Sequence, residues 1–342
     1  MSAPSAEKSS KPVFSIIMPA FNVENFIGEA IDAVIGQSFS SWQLIIIDDH
    51  SSDSTPQIIE KLAAHHPDRI SFLRLSENLG NPFLVRQKAL SLIKGDFTLV
   101  LDADDLISPA LLHDYHKSFA SLKAPDLIFP ELWRFSDNNS SKFLPSPDFD
   151  TESLHSGPSL FAETLVNPRI HTTGYAVNSD IFREAYKSMP PEAVNSIHAD
   201  EFFGRLLLLN SRSVAFSKEK YFYRINSSSI TAQPLKIIPD GISTNSAILN
   251  LSQVVFGNSS KEFALSLRRY FSFLIDALNI LSNSRLETSE RKKLLNIISE
   301  AKRRVSLTSQ AGISLPYRLI LRLPPRLALP LFSLRRLLLP QR

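Results

Sequence analysis

The chain has 342 residues, of which 43% are hydrophobic and 21% are charged, as in globular proteins rather than disordered ones. It contains no cysteine, which excludes disulfides, thiolate metal sites and cysteine nucleophiles. The net charge of +3 conceals an asymmetry, because residues 302–342 carry nine Lys or Arg and no Asp or Glu. No apolar run approaches the length of a membrane-spanning helix, so we expect a cytoplasmic protein with a basic tail.

Four apolar runs alternate with helical periodicity in the first hundred residues. The runs cover residues 13–18, 42–47, 70–75 and 97–101, and helices are predicted over 26–35, 54–63 and 81–93. Asn22 is predicted to cap the first helix, and Asn81 with Pro82 is predicted to open the third. The alternation is typical of a parallel sheet, in which ligands bind beyond the carboxyl ends of the strands.

Each predicted strand ends in polar residues, as expected of a nucleotide site. They are Asn22 and Glu24, Asp48 and Asp49, Asn78 and Gly80, and finally Asp102, Asp104 and Asp105. The last three carboxylates would repel one another without a cation, and Mg²⁺ or Mn²⁺ takes such oxygens together with substrate phosphates. A solvated acidic loop is the alternative. Gly-x-Gly-x-x-Gly after the first strand and Gly-x-x-x-x-Gly-Lys-Ser/Thr are both absent, which argues against a dinucleotide-binding enzyme or a P-loop NTPase.

The ordered set of motifs resembles an inverting family 2 glycosyltransferase with the GT-A fold. The matching segments are residues 14–22, 37–39, 42–53, 78–80, Arg86, 94–96 and 101–105, within an overall resemblance from 13 to 231. His50 replaces the family's usual Gly, and Gln87 replaces its usual Asn. The resemblance implies an α/β fold whose mostly parallel central sheet is flanked by helices, followed by a C-terminal helical region.

The predicted domain boundaries follow from the same patterns. Residues 1–12 are expected to be a disordered lead-in and 13–232 the GT-A domain, with a nucleotide-sugar half (13–106) and an acceptor half (107–232). A helical region then covers 233–310, and a basic tail rich in Leu, Pro and Arg covers 311–342.

The resemblance also implies roles for individual residues on the donor side. Pro19 and Phe21 would line the base pocket, although Phe21 could be a plain core aromatic. Asp49 would accept from a base N–H, and Arg86 would donate to a base carbonyl or to phosphate, although Arg86 could instead point to solvent. The implied nucleotide-binding set is Pro19, Phe21, Asn22, Glu24, Asp49, Arg86, Asp102, Ala103, Asp104 and Arg224, and the implied ligands of Mn²⁺ or Mg²⁺ are Asp102, Asp104 and Asp105.

On the acceptor side, residues 198–206 resemble the family's Glu-Asp-x-x-Phe motif. In that register Asp200 is the catalytic base and Ala199 stands where the family has Glu, with Glu201 as the compensating carboxylate. The alternative is an Asp favoured at a helix start by the macrodipole. His198 is a weaker candidate base, and His171, Thr172 and Thr173 are candidates for sugar contact or ordinary strand-edge residues. Asn226 replaces the family's usual His.

These features predict a transferase that moves a sugar from a nucleotide-diphosphate sugar, UDP being favoured, to a glycan or lipid-linked acceptor. A non-catalytic nucleotide-sugar-binding protein is the first alternative. An Asp-dependent phosphohydrolase is disfavoured, because its Asp-x-Asp belongs after the first strand. The tail is predicted to bind an anionic membrane surface at the cytoplasmic face, a protein partner being the alternative, and its leucine density argues against nucleic acid.

Overall fold

The structure is a computed structural model that describes residues 11–121, 124–136, 139–142, 153–166, 173–196, 198–225, 234–283 and 287–306. The chain divides into two compact units, one of Met1–Met189 with Phe203–Asn226 and one of Pro190–Phe202 with Ser227–Arg342. The predicted domain boundary at residue 232 therefore differs from this division, which groups the segment of Asp200 with the C-terminal helices. Outside the described residues lie most of the predicted lead-in (residues 1–10 of 1–12), His171, Thr172, Asn226 and the predicted basic tail.

The first unit is built on one sheet. Its strands are β1 (Phe14–Ala20), β2 (Trp42–Asp48), β3 (Ile70–Arg74), β4 (Phe97–Val100), β5 (Leu106–Ile107), β6 (Leu127–Ser136), β7 (Asn139–Lys142), β8 (Ala176–Asn178) and β9 (Val214–Arg224). Their order is β3-β2-β1-β4-β8-β6-β9-β5, with β7 beside β6. The α/β prediction is confirmed, but the sheet is mixed. The predicted parallel order holds from β3 to β4, and β8 then pairs antiparallel with β4 and β6.

The helices of the first unit largely follow the sequence pattern. They are α1 (Ile27–Ile35), α2 (Thr55–Ala64), α3 (Pro82–Gln87), α4 (Leu111–Phe119), α5 (Gly157–Val166), α6 (Ser179–Lys187) and the greater part of α8 (Ala199–Asn210). The third predicted helix is shorter than expected, because a 3₁₀ turn at Leu90–Leu92 follows α3. Asn81 does cap α3, accepting the Phe83 N–H at 2.9 Å.

Asn22 does not cap α1, contrary to prediction. The helix begins at Ile27, and Asn22 adopts a left-handed backbone with φ of 51°. Its side-chain oxygen accepts the Ser52 N–H at 2.9 Å instead. The side chain therefore joins the loop after β1 to the loop after β2, which is a tertiary contact that helix-start patterns do not encode.

The paired strands bring the polar ends of β1, β2 and β4 to one edge of the sheet. Every residue of β2 is buried, and every residue of β1 except Pro19 is buried too. This burial explains why β1 and β2 appear in the sequence as nearly continuous apolar runs. Ala20 stands opposite Asp48, and Ile17 opposite Val100. The Leu101 N–H then donates to the Ile17 carbonyl at 3.0 Å, so Asp102 emerges next to the end of β1.

The second unit is helical. Its helices are α7 (Pro191–Val194), the first turn of α8, α9 (Pro234–Phe256), α10 (Lys261–Asn283) and α11 (Thr288–Ser306). Its core contains all six periodic positions that the sequence indicates on α10, namely Phe263, Leu267, Tyr270, Phe271, Leu274 and Leu278. Within the described residues, no helix combines the length and apolarity needed to cross a membrane.

Candidate functional site

Asp49 organises the loop that follows β3. Its Oδ1 accepts the Leu79 N–H at 2.7 Å and its Oδ2 accepts the Gly80 N–H at 3.0 Å. Gly80 has a φ of 64°, a conformation that favours glycine and turns its N–H towards the carboxylate. These two bonds orient the Asp49 carboxylate, and each oxygen has a further lone pair. The predicted contact of Asp49 with a base stays a prediction.

The β1 end presents an exposed aromatic ring. Phe21 is 48% exposed, which excludes the alternative that it is a core residue. Asn22 beside it is held from both sides, since its N–H donates to Ser51 Oγ at 2.9 Å and its side chain accepts from Ser52. Pro19 directly precedes this turn within β1. An exposed, rigidly mounted Phe at the carboxyl edge of a sheet can stack on a flat ring.

Glu24 has a structural partner in the same region. Its Oε2 accepts the Ser54 N–H at 2.9 Å at the start of α2, while its own N–H donates to Asp53. The thirty-residue separation hides this contact from sequence inspection. We therefore leave Glu24 out of the nucleotide-binding set that is proposed below.

Arg86 is buried on α3 rather than pointing to solvent. It is 3% exposed, and Tyr186, Asp102 and Tyr175 lie around its guanidinium. Burial alone would lower the pKa of Arg86, but Tyr186 and Asp102 outweigh it and the pKa is raised. Burial also raises the pKa of Asp102, against the opposing pull of Arg86. Arg86 therefore has a charged neighbour inside the protein, Asp102, and its predicted contact with the donor stays a prediction.

The carboxylates after β4 have different surroundings. Burial and the charge of Asp102 raise the pKa of Asp104 to about 6. Asp105 is only 1% exposed, and burial with the charges of both neighbours raises its pKa to about 8. Its Oδ2 accepts from Tyr221 Oη at 2.6 Å. Its Oδ1 accepts the Arg224 N–H at 2.8 Å. Ala103, which lies between Asp102 and Asp104 in the sequence, is buried in the core.

Asp105 therefore serves the fold, and we do not include it among the proposed metal ligands. Both of its oxygens already accept strong hydrogen bonds, and it has almost no contact with solvent. Tyr221 also accepts the Asp102 N–H at 3.3 Å. One phenol thus connects both ends of the acidic segment, residues 102–105. Sequence reasoning missed Tyr221, because no local pattern connects its hydroxyl to a carboxyl group 116 positions away.

Arg224 supports the acidic segment from β9. Its Nε donates to the Asp104 carbonyl at 2.9 Å and its Nη2 to Glu29 Oε2 at 2.6 Å. The guanidinium also stands 4.4 Å from the centre of the Phe135 ring. Arg224 therefore connects β9 both to the acidic loop after β4 and to Glu29 on α1, and its predicted place in the nucleotide-binding set stays a prediction.

The donor atoms at this edge suit a hard divalent cation. The side chains of Asp102 and Asp104 lie after the end of β4, and burial, together with the charge of Asp102, raises the pKa of Asp104. Within the described ranges, no cluster of three or more His, Cys, Asp or Glu side chains is arranged to hold a metal. A site of one or two carboxylates completed by substrate phosphates is the arrangement that Mg²⁺ commonly takes.

The predicted base lies in the second unit. Asp200 and Glu201 occupy the first turn of α8. Glu201 accepts a hydrogen bond from Arg269 of α10, and its second oxygen is 3.7 Å from His198 Nδ1. The predicted compensating carboxylate therefore has a cationic partner that sequence reasoning did not find. The two residues are 68 positions apart.

Comparisons with known proteins agree with this architecture. The profile of the family described as "Glycosyl transferase family 2" matches residues 15–176. The minor teichoic acid biosynthesis protein GgaB of Bacillus subtilis is 27% identical over 228 residues, which are 64% of this chain and 24% of GgaB. The poly(ribitol-phosphate) beta-N-acetylglucosaminyltransferase TarS of Staphylococcus aureus is 26% identical over 61% of this chain and 35% of TarS. The chain thus spans well under half the length of these relatives.

Solved structures share the fold. TarS 1–349 in complex with UDP-GlcNAc superposes with a TM-score of 0.62 at 19% identity, over 92% of this chain and 88% of that one. The mannosyltransferase PcManGT from Pyrobaculum calidifontis, in complex with GDP-Man and Mn²⁺, superposes with a TM-score of 0.54 at 13% identity, over 96% and 88%. Residues 15–176 of the chain therefore match glycosyl transferase family 2, and the chain shares the fold of these structures, in agreement with the predicted GT-A fold.

Proposed function

We propose that the chain transfers a sugar from a UDP-linked donor to a glycan or lipid-linked acceptor of a surface polysaccharide, with inversion. The observation that carries this proposal is the acidic segment after β4, which follows a strand paired with β1 and lies at the same edge of the sheet as the ends of β1 and β2. The UDP-GlcNAc complex of TarS supports UDP as the nucleotide, and the name of GgaB supports a cell-wall polymer as the acceptor.

On the donor side, the exposed ring of Phe21 stacks on the base and the oriented carboxylate of Asp49 accepts from a base N–H. Pro19 and the Asn22 turn hold Phe21 in place. Arg86 sits behind Asp102 and limits the repulsion between that carboxylate and the donor phosphates. Apart from Asp102, which follows β4, each of these residues lies at the end of β1 or β2 or on α3, so the sheet edge and α3 together supply the pocket.

Asp102 and Asp104 would hold a divalent cation, Mn²⁺ or Mg²⁺. When bound, such an ion neutralises the charge that develops on the leaving nucleoside diphosphate. The Mn²⁺ in the PcManGT complex supports this assignment. Arg224 contributes by fixing the Asp104 backbone, and Asp105 contributes by anchoring the segment to Tyr221.

Asp200 is proposed as the general base on the acceptor side. It would take the proton from the acceptor hydroxyl as that oxygen attacks the anomeric carbon from the face opposite the diphosphate. A single displacement of this kind inverts the anomeric configuration. Its place in the first turn of α8 suits an ionised carboxylate, because the helix macrodipole favours negative charge there.

The test is a pair of isosteric variants with a surface control. Asp104→Asn should lose the Mn²⁺-dependent part of the thermal shift with UDP-GlcNAc and slow transfer about a hundredfold or more. Asp200→Asn should keep that shift and lose transfer. Asp68→Asn, at an exposed position, is the control. Transfer that survived both substitutions would refute the mechanism, and a wild-type protein that bound donor without turnover would support a binding protein instead.

The basic tail, residues 311–342, is proposed to bind anionic lipid at the cytoplasmic face of the membrane. Each Lys or Arg near such a surface contributes about 1 kcal/mol, and the interleaved leucines add apolar contact. Deletion of residues 316–342 should abolish sedimentation with phosphatidylglycerol vesicles and leave transfer to a water-soluble acceptor intact. Equal sedimentation of both forms would refute this role.

A further inference from the structure

The segment that carries Asp200 is fastened to α9 by buried hydroxyl groups. Ser196 Oγ accepts the hydroxyl of Thr244 at 2.8 Å and the N–H of His198 at 3.0 Å. It lies 3.4 Å from the Asp240 carbonyl. Both Ser196 and Thr244 are buried. The start of the segment is therefore fixed by a residue of the C-terminal helices, three positions before α8 begins at Ala199.

The end of the segment is fastened to α10 by an ion pair. Arg269 Nη2 donates to Glu201 Oε1, and Arg269 Nε donates to Asn245 Oδ1 at 2.8 Å. Asn245 is 1% exposed, and its own amide donates to the Gly241 carbonyl at 2.8 Å. The guanidinium thus joins α9, α10 and the first turn of α8 through one rigid group.

The ion pair between Arg269 and Glu201 is largely shielded from water. The side chains of Arg269 and Glu201 are 12% and 22% exposed, so water competes weakly for either group. A guanidinium presents its donors in a fixed planar fork and can hold Asn245 and Glu201 at once, which a lysine ammonium on a flexible stem does less well. Without Arg269, Glu201 would lose its guanidinium partner next to Asp200, and the first turn of α8 would lose this connection to α10.

We infer that Arg269 is a positioning residue for the reaction, acting through Glu201 to fix the first turn of α8 and with it the carboxylate of Asp200. This inference rests on the proposed function, in which Asp200 is the base. It gives Glu201 a defined task at the position after the base, in a chain where Ala199 occupies the place of the family's usual Glu. It also makes α9 and α10 part of the catalytic apparatus.

The test compares Arg269→Ala with Arg268→Ala, its exposed neighbour on the same helix. Steady-state transfer from UDP-GlcNAc should show kcat reduced about tenfold to a hundredfold in Arg269→Ala, with the donor KM within about twofold of wild type. Arg268→Ala should match wild type. The donor-induced thermal shift should persist in every variant, which would indicate that the first unit is folded.

Two further variants separate positioning from general loss of structure. Arg269→Lys should recover part of kcat, because the charge returns but the double contact does not. The double variant Glu201→Ala with Arg269→Ala should be no slower than Arg269→Ala alone, because the arginine acts through Glu201. If Arg269→Ala proves too unstable to assay, the kcat of Arg269→Lys decides the question, and a wild-type value overturns the inference.

The outcomes distinguish this inference from the proposed function. A wild-type protein with neither donor-induced shift nor transfer would overturn both. A wild-type protein that transfers sugar, together with an Arg269→Ala variant of unchanged kcat, would overturn the inference alone. A loss confined to donor KM would also overturn it, since a positioning residue for the base must act on kcat.

Discussion

Replacing Tyr221 with Phe deletes one hydroxyl from the interior of the acidic segment. That oxygen donates to Asp105 Oδ2 at 2.6 Å and accepts the Asp102 N–H at 3.3 Å. Tyr221 is fully buried, and Phe keeps the same ring. The substitution therefore removes hydrogen bonds while leaving almost all of the packing in place.

The expected cost is about 2–3 kcal/mol when Asp105 is ionised, because a hydrogen bond to a buried charged group contributes about 1.5–3 kcal/mol and the longer contact adds less. The cost depends on pH in a defined direction. The Tyr221 bond favours the charged form of Asp105, whose pKa burial has raised to about 8. The difference between wild type and variant should therefore be largest near about pH 9 and smaller near about pH 6, where Asp105 is protonated.

Tyr115→Phe is the matched control. Tyr115 is also fully buried, but its hydroxyl donates to a neutral group, the Gly174 carbonyl, at 2.7 Å. Its removal should cost about 1 kcal/mol. Burial holds the pKa of Tyr115 well above its ordinary value, so this cost should be the same at both pH values.

These costs are measured by urea denaturation in the presence of a chelator, with unfolding monitored by tryptophan fluorescence. Both tryptophans of the chain, Trp42 and Trp133, lie in the first unit, so the signal reports on the unit that contains the acidic segment. Equal destabilisation by Tyr221→Phe at both pH values, or a cost no greater than that of Tyr115→Phe, would refute the assignment of Asp105 as a buried, Tyr-stabilised carboxylate.

Two further predictions concern the supports of the same segment. Gly174→Ala should destabilise the first unit by about 3 kcal/mol or more, because a Cβ there would lie only 2.3 Å from Tyr221 Cδ2. The φ of 72° at Gly174 is also a backbone conformation that alanine rarely adopts. Gly80→Ala, with a φ of 64° and only an ordinary contact, should cost about 1 kcal/mol by the same fluorescence assay, and similar costs for the two would contradict the packing argument. Arg224→Lys should lower kcat about tenfold, because one ammonium cannot replace the contacts to both the Asp104 carbonyl and Glu29. Full activity in this variant would show that the support is dispensable.

Much of the first half could be predicted from local pattern. Parallel strands buried on both faces appear as continuous apolar runs, so β1 to β4 were found close to their observed bounds. The end of β4 then places Asp102 and Asp104 at the sheet edge with little freedom. The mixed second half could not be read in this way, because β5 has two residues and β8 three, too few for a periodic signal.

The sequence by itself determined the alternation of strands and helices and the polar residues at the strand ends, because burial of one face or both leaves a local periodic pattern. Its motifs also indicated the resemblance to family 2 glycosyltransferases. Only the tertiary structure decided which charges meet. Asp105 pairs with Tyr221 across 116 positions, Arg224 with Glu29 across 195, and Arg269 with Glu201 across 68. A buried charge must be compensated somewhere, but local pattern does not say by which distant residue, since that depends on how the sheet and the helices close in space.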